Sequence, residues 1–224
     1  MDFSRTRISF DRKISSYSKV QRAVTRLIRN RRLFYADVQR GAYINLGCGP
    51  NLLKSFVNVD YEWLPGLDIC CDITRGIPVG DGIAGGIYSE HCLEHLTLEQ
   101  CRFVLRECHR VLAAKATLRI VVPDLQVYAR AYVRYLDGQA VVFPNEYFVN
   151  KTGICQPVAL INELFLASHH RFIHDHETLS TLLGEAGFSE VRPCAFGTGA
   201  DAHLLVDSAG RASESLYIEA TKTC

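Results

Sequence analysis

Glycines, carboxylates and an imidazole recur at short intervals through the first half of the chain. Gly47-Cys48-Gly49 comes first, then Asp60, then Asp72, then Ser89-Glu90-His91. Each suits a distinct task. Glycines let a backbone approach a ligand closely, because no Cβ stands in the way. A carboxylate at Asp60 can accept hydrogen bonds from ribose hydroxyls, and one at Asp72 can accept from an exocyclic amine. His91 can remove a proton near neutral pH. A nucleoside-containing cofactor satisfies the whole series.

These residues need elements that bring them to one edge. Tyr43–Gly47, Phe56–Asp60, Leu67–Cys71, Ile83–Ser89 and Thr117–Val122 read as short β-rich strands. In each of the first four the chemical residue lies at or just beyond the carboxyl end. Leu98–Ala113, Leu125–Leu136 and Glu177–Ala186 read as helices, the last closed by Gly187. Val191–Phe196 and Ser215–Lys222 read as closing strands, and residues 139–175 as an irregular, aromatic-rich segment. Alternating strands and helices predict an α/β fold with a largely parallel sheet. Ligands of such sheets bind beyond the carboxyl ends of the strands, where strand order reverses.

Several motifs together carry a resemblance. They are Ile44-Asn-Leu-Gly-Cys-Gly49, Val57-Asn-Val-Asp60, Cys71-Asp-Ile73 and Ile87-Tyr-Ser-Glu-His-Cys-Leu-Glu-His-Leu96. Leu105-Arg-Glu-Cys-His-Arg-Val-Leu112, Arg119-Ile-Val-Val-Pro-Asp124 and the Glu-Ala-Gly-Phe ending of Leu179–Phe188 complete the set. Over residues 42–222 the chain resembles class I S-adenosylmethionine-dependent methyltransferases, in the compact branch associated with polysaccharide and natural-product biosynthesis. The resemblance implies a Rossmann-like, seven-stranded, mostly parallel sheet whose last strand is antiparallel. It implies S-adenosylmethionine (SAM) as cofactor and S-adenosylhomocysteine (SAH) as product. The cofactor would lie against Asn45, Leu46, Gly47, Cys48 and Gly49, against Asp60 and Tyr61, against Asp72 and Ile73, and against Ser89, Glu90 and His91. The reaction implied is SN2 methylation of an oxygen, less readily a nitrogen, on a small-molecule or saccharide acceptor. His91, Asp124 and His170 are the candidate bases. An NAD site fits less well, since the third glycine of G-x-G-x-x-G is replaced by Leu52.

His91, Glu94 and His95 form H-x-x-E-H, which puts three ligand types on one helical face. Ubiquinone-pathway O-methyltransferases and small-RNA 3′-end methyltransferases are similar here, with E-x-x-E-H binding a divalent metal. The set therefore stands as a speculative metal site, against a structural helix start. His169, His170, His174 and His176 follow downstream, each read individually as a loop residue. Tyr128, Tyr132 and Tyr135 read as packing, and Asp124 also fits the cap of the helix behind it. A metal-assisted RNA methyltransferase and a non-catalytic SAM-binding scaffold are the alternative functions.

The connections are unusual. Six residues separate Gly49 from the second strand, and seven separate Asp60 from Asp68. A crossover containing a helix needs about ten to twelve residues. The first two helices of the fold must be missing or reduced to a turn, which leaves one sheet face to be covered. Residues 17–35 carry Val20, Val24, Leu27 and Ile28 at helical spacing, and this stripe is expected to face inward as the cover.

Charge divides the 224 residues the same way. Residues 1–40 hold eleven Lys and Arg against three acids, a net +8, so the overall +1 leaves −7 for the rest. The division expected is a basic helical arm over 1–40 and a cofactor-binding domain over 41–224, with 139–175 as a substrate lid. An acidic globule disfavours nucleic acid as a partner. The arm fits a site cover and homodimer element, or contact with anionic lipid. Nine cysteines without a CxxC, mostly in apolar runs, predict free thiols and a cytoplasmic location. An Arg- and Ser-rich start also fits a mitochondrial presequence, but its helical pattern runs directly into the domain. No apolar run is long enough to span a membrane.

Overall fold

The computed structural model describes residues 18–141, 157–166 and 169–223. One sheet holds β1 (Tyr43–Leu46), β2 (Phe56–Asp60), β3 (Ile69–Cys70), β4 (Ala84–Glu90), β5 (Leu112–Pro123), β6 (Arg192–Cys194) and β7 (Ser215–Thr221). The strand order is 3-2-1-4-5-7-6. β1 to β5 pair in parallel, and β7 runs antiparallel between β5 and β6. This is the arrangement that the resemblance implied. The order reverses between β1 and β4. Burial on both faces makes the central strands nearly continuous apolar runs, as in Leu118–Val122, interrupted only by Arg119.

Five described helices accompany the sheet: α1 (Lys19–Ile28), α2 (Leu98–Val111), α3 (Leu125–Leu136), α4 (Pro157–Leu166) and α5 (His176–Glu185). The start of α2 is fixed by a capping box, with Thr97 and Gln100 each bonding the other's backbone N–H. Its inner face is Cys101, Val104, Leu105, Cys108 and Val111. With Leu179, Leu182 and Leu183 of α5, this face covers Ile44, Leu46, Ile87, Leu118 and Ile120. Asp124 and Asp175 cap α3 and α5.

The opposite face is covered differently from expectation. No helix joins β1 to β2 or β2 to β3. The segment 195–214, between β6 and β7, lies over Tyr43, Tyr88, Val121 and Tyr217 with Leu204 and Val206. Charge anchors it. Arg119 is fully buried and donates to Asp207 Oδ1 from Nε at 2.8 Å and to Asp207 Oδ2 from Nη2. Its Nη1 donates to Glu219 Oε1 at 3.0 Å and to the Thr198 carbonyl at 2.9 Å. Arg192 meets the second Glu219 oxygen at 3.0 Å. A buried guanidinium is tolerated because every direction it faces is filled by an acceptor.

The N-terminal helix is therefore not the cover of that face. It is also shorter than 17–35, ending at Ile28, and its Val20 and Leu27 are 70% and 63% exposed. Polar groups dock it instead. Thr25 is buried, and its hydroxyl accepts the Trp63 N–H at 2.8 Å. Arg29 donates to the Tyr61 carbonyl at 3.0 Å, and the Asn30 N–H to the Cys70 carbonyl at 3.1 Å. These contacts hold α1 against the β2–β3 edge, and Tyr35 and Val38 then pack on the α2 side.

A second correction concerns 139–175, which contains α4 rather than irregular chain throughout. Residues 142–156 and 167–168 of that expected lid, and 1–17 of the arm, lie outside the described residues. Seven described cysteines, including Cys70 and Cys71, are free. No described helix is long and apolar enough to cross a membrane.

Candidate functional site

Beyond β1 the chain turns through Gly47 at φ 70° and Gly49 at φ 51°. Gly47 is confined, since a Cβ there would fall 2.1 Å from Cys92 Sγ. Gly49 faces open space, with nothing within 4 Å of where a Cβ would be. Asp60 ties this turn to β2. Its Oδ2 accepts the Gly49 N–H and its Oδ1 the Glu62 N–H, both at 2.8 Å. Burial pushes the Asp60 carboxyl above its ordinary range, partly offset by those two amides.

Asp72, just after β3, caps a 3-10 turn, accepting from the Thr74 hydroxyl at 2.6 Å and the Thr74 N–H at 3.1 Å. Its own N–H donates to Asn30 Oδ1 at 2.8 Å, so the N-terminal arm reaches this edge. The Arg29 guanidinium lies 3.4 Å from the centre of the Tyr61 ring, a cation–π stack beside Asp60. Ser89 is buried and donates to the Leu46 carbonyl at 3.0 Å, joining β4 to β1 at the strand-order reversal.

The expected cofactor residues thus divide by exposure. Gly47, Gly49, Asp60, Tyr61 and Asp72 reach the surface along one edge, whereas Leu46, Cys48, Ile73 and Ser89 are buried behind them. Asn45 is buried as well, with its amide spent on the Asn51 carbonyl and Asn58 Oδ1. Glu90 is turned toward segment 195–214, where its oxygens accept the Ser208 N–H at 2.9 Å and hydroxyl at 2.6 Å.

A second group gathers beyond β4. His91 sits at φ 49°, a strained region for a non-glycine residue that is enriched at functional sites. Its Nε2 is 3.0 Å from Ser215 Oγ and its Nδ1 is 3.1 Å from Glu94 Oε1. Glu94 is fully buried, and its carboxylate forms no hydrogen bond of good geometry among the described residues. Burial pushes the Glu94 carboxyl up, but the His91 contact and the charges of His91 and His95 outweigh it and leave it below its ordinary value. The backbone carbonyl of Glu94 accepts from Arg171 and Phe172, which brings the downstream histidines in.

His170 Nδ1 makes a short bond to the Leu164 carbonyl on α4, and its Nε2 lies 3.9 Å from Glu94 Oε1. Burial lowers its pKa. Ligand atoms of Glu94, His95 and His170 all lie within 4.8 Å of one another. His174 is fully buried, neither ring nitrogen has a partner among the described residues, and burial holds its pKa down at about 4. Asp124 accepts the Gln126 N–H at 2.9 Å as the α3 cap, and burial raises its carboxyl.

Chemically, Glu94, His91 and Ser215 form a carboxylate–imidazole–hydroxyl relay. With the proton on Nδ1 held toward Glu94, the Nε2 lone pair is presented toward the hydroxyl. Sequence reasoning missed Ser215, Ser208, Asn30 and Arg29. The serines lie more than 100 residues from their partners, and an isolated serine has no local signature.

No protein-family model matches the chain, and no curated protein matches its sequence. Solved structures do resemble it. A SAM-dependent methyltransferase from Archaeoglobus fulgidus is 16% identical, over 91% of this chain and 93% of that one, at a TM-score of 0.49. A SAM-dependent methyltransferase from Thermotoga maritima is 17% identical, over 82% and 83%, at 0.48. A Burkholderia thailandensis 1,6-didemethyltoxoflavin-N1-methyltransferase, solved with SAH, is 15% identical, over 83% and 72%, at 0.47. At these identities and scores no chemistry is transferred from them.

Proposed function

We propose that the chain is a SAM-dependent methyltransferase that methylates a hydroxyl of a small-molecule or saccharide acceptor and releases SAH. The observation that carries this reading is the row of Gly49, Asp60 and Asp72 at successive strand ends, beside the strand-order reversal. A nucleoside cofactor fits that row. The open side of Gly49 admits the amino-acid part, Asp60 has oxygens for ribose hydroxyls, and Asp72 stands where an adenine amine needs an acceptor, next to Ile73. Bound there, SAM supplies an electrophilic methyl group.

The chain's own residues then handle the acceptor. His91 Nε2 takes the acceptor's hydroxyl proton, directly or through Ser215 Oγ, and the buried Glu94 carboxylate steadies the imidazolium that results. Alignment of acceptor and cofactor in a water-poor site supplies much of the rate. His170 and Asp124 are the lesser candidates as base, since His170 Nδ1 is bonded to Leu164 and Asp124 caps α3.

Titration calorimetry with SAM against NAD tests the cofactor. Binding of SAM alone is expected, with a loss of several-fold or more in Asp60→Ala. No binding of SAM sinks the proposal. A second reading is favoured by the approach of Glu94, His95 and His170, whose ligand atoms lie within 4.8 Å of one another: these three hold a divalent cation. Elemental analysis of the purified protein and of Glu94→Gln, with and without EDTA, separates the two. Metal that EDTA strips and Glu94→Gln lacks supports the second.

A further inference from the structure

We infer that the outer face of α1 is a docking surface for an anionic membrane. The helix is held from one side only. Its start is fixed by a capping box between Ser18 and Gln21, and its inner side by the contacts of Thr25, Arg29 and Asn30 with the β2–β3 edge. None of these uses Val20 or Leu27, the members of the stripe that stay exposed while Val24 and Ile28 are half-buried. At 100° per residue, Val20, Ala23 and Leu27 fall within one narrow strip of the opposite side. Val20 and Leu27 are 70% and 63% exposed, and Leu33 just beyond is 88% exposed.

Lys19 and Arg26 stand beside that strip and Arg22 further round toward Arg29, all exposed and in no ion pair among the described residues. Arg29, the C-cap of α1, faces inward to Glu62. An aliphatic strip bordered by free cations is the pattern of a helix lying in the headgroup region. The apolar side chains enter the acyl boundary and the guanidinium groups meet lipid phosphates. Charge complementarity orients the whole chain. The arm's +8 is drawn to an anionic surface that repels the −7 remainder, so α1 leads. The aliphatic strip distinguishes this partner from nucleic acid, which rewards cations and stacking rings but gains nothing from exposed Val and Leu. With so few aliphatic residues, docking is reversible and depends on anionic lipid.

Co-sedimentation of the full chain with phosphatidylcholine vesicles, with and without phosphatidylglycerol, tests this. Binding is expected only with phosphatidylglycerol, weakening at high salt. Val20→Ser with Leu27→Ser keeps every charge and should weaken binding roughly tenfold or more. Arg22→Gln with Arg26→Gln should weaken it by about fivefold for each charge removed. Both double variants should keep the wild-type urea midpoint, since none of the four side chains packs inward. No binding to either vesicle overturns the inference. Unchanged binding by the serine variant, with displacement by single-stranded RNA, overturns it in favour of a polyanion site. A wild-type dimer that the serine variant dissociates overturns it in favour of a second copy of the chain.

Discussion

Gly47→Ala and Gly49→Ala are the same chemical change two residues apart in one turn, yet the structure separates their costs. At Gly49 the only penalty is the backbone. An alanine held at φ 51° costs about 1–2 kcal/mol, and its methyl meets nothing. At Gly47 the same penalty applies at φ 70°, and the new methyl lies 2.1 Å from Cys92 Sγ and 2.6 Å from Cys92 Cβ. Rotating the thiol away relieves the first contact but not the second. The Cys92 backbone must move, and with it the neighbouring His91 and Glu94. Overpacking of that kind adds roughly 1–3 kcal/mol, so Gly47→Ala should cost about 2–5 kcal/mol in all. Replacing Cys92 by Gly removes both offending atoms. In that background the cost of Gly47→Ala should fall to that of Gly49→Ala, a coupling of about 1–3 kcal/mol. Urea unfolding followed by circular dichroism on the four variants measures each quantity. If Gly47→Ala is no worse than Gly49→Ala, or Cys92→Gly gives no relief, the packing account of this turn is wrong.

Other outcomes follow from buried charge. His174 takes a proton near pH 6.5 when unfolded but only near pH 4 when folded, so stability is full above pH 6.5 and falls as pH drops toward 4. The loss amounts to roughly 3 kcal/mol; urea midpoints of His174→Gln should be flatter over that window, and an unchanged pH slope counts against the assignment. Arg119→Met leaves Asp207 and Glu219 buried without their shared cation and should cost about 3–5 kcal/mol. It should also speed protease cleavage within 195–207, and wild-type resistance there would show that the ion network does not anchor the segment. Deleting residues 1–36 removes the Thr25, Arg29 and Asn30 contacts and should abolish soluble folding or SAM binding. A truncated protein that folds and binds SAM as the full chain does would refute a structural role for the arm.

Strand ends were readable from sequence because β alternation and the residue types at each terminus agree, as at Phe56–Asp60. The missing crossover helices were readable from connection lengths alone. What covers the face they leave was not. The Val20/Leu27 stripe has the spacing of a core-facing helix, and nothing local says that Thr25 and Arg29 dock it through hydrogen bonds instead. Segment 195–214 is rich in Gly, Ala and Ser and reads as an ordinary loop, and only the distant pairing of Arg119 with Asp207 makes it a lid over the sheet. α4 escaped notice because Pro157–Leu166 is apolar nearly all round and shows no one-sided pattern. Of the site, H-x-x-E-H pointed to His91 and Glu94, but the partners that fix their roles, Ser215 and His170, come from far along the chain.

The position of β7 has a consequence for synthesis. Residues 215–221 fill the slot between β5 and β6, and Ser208, Asp207 and Ser215 hold Glu90, Arg119 and His91 from that side. A ribosome-bound chain that has made β1 to β5 therefore owns the glycine turn and Asp60 but ends its sheet at an open β5 edge, with a bare face and an imidazole without its hydroxyl partner. These contacts span 88 to 124 residues and can close only after the rest of the domain is made. Until residues 207–221 are added, such a chain keeps an exposed strand edge and an incomplete site.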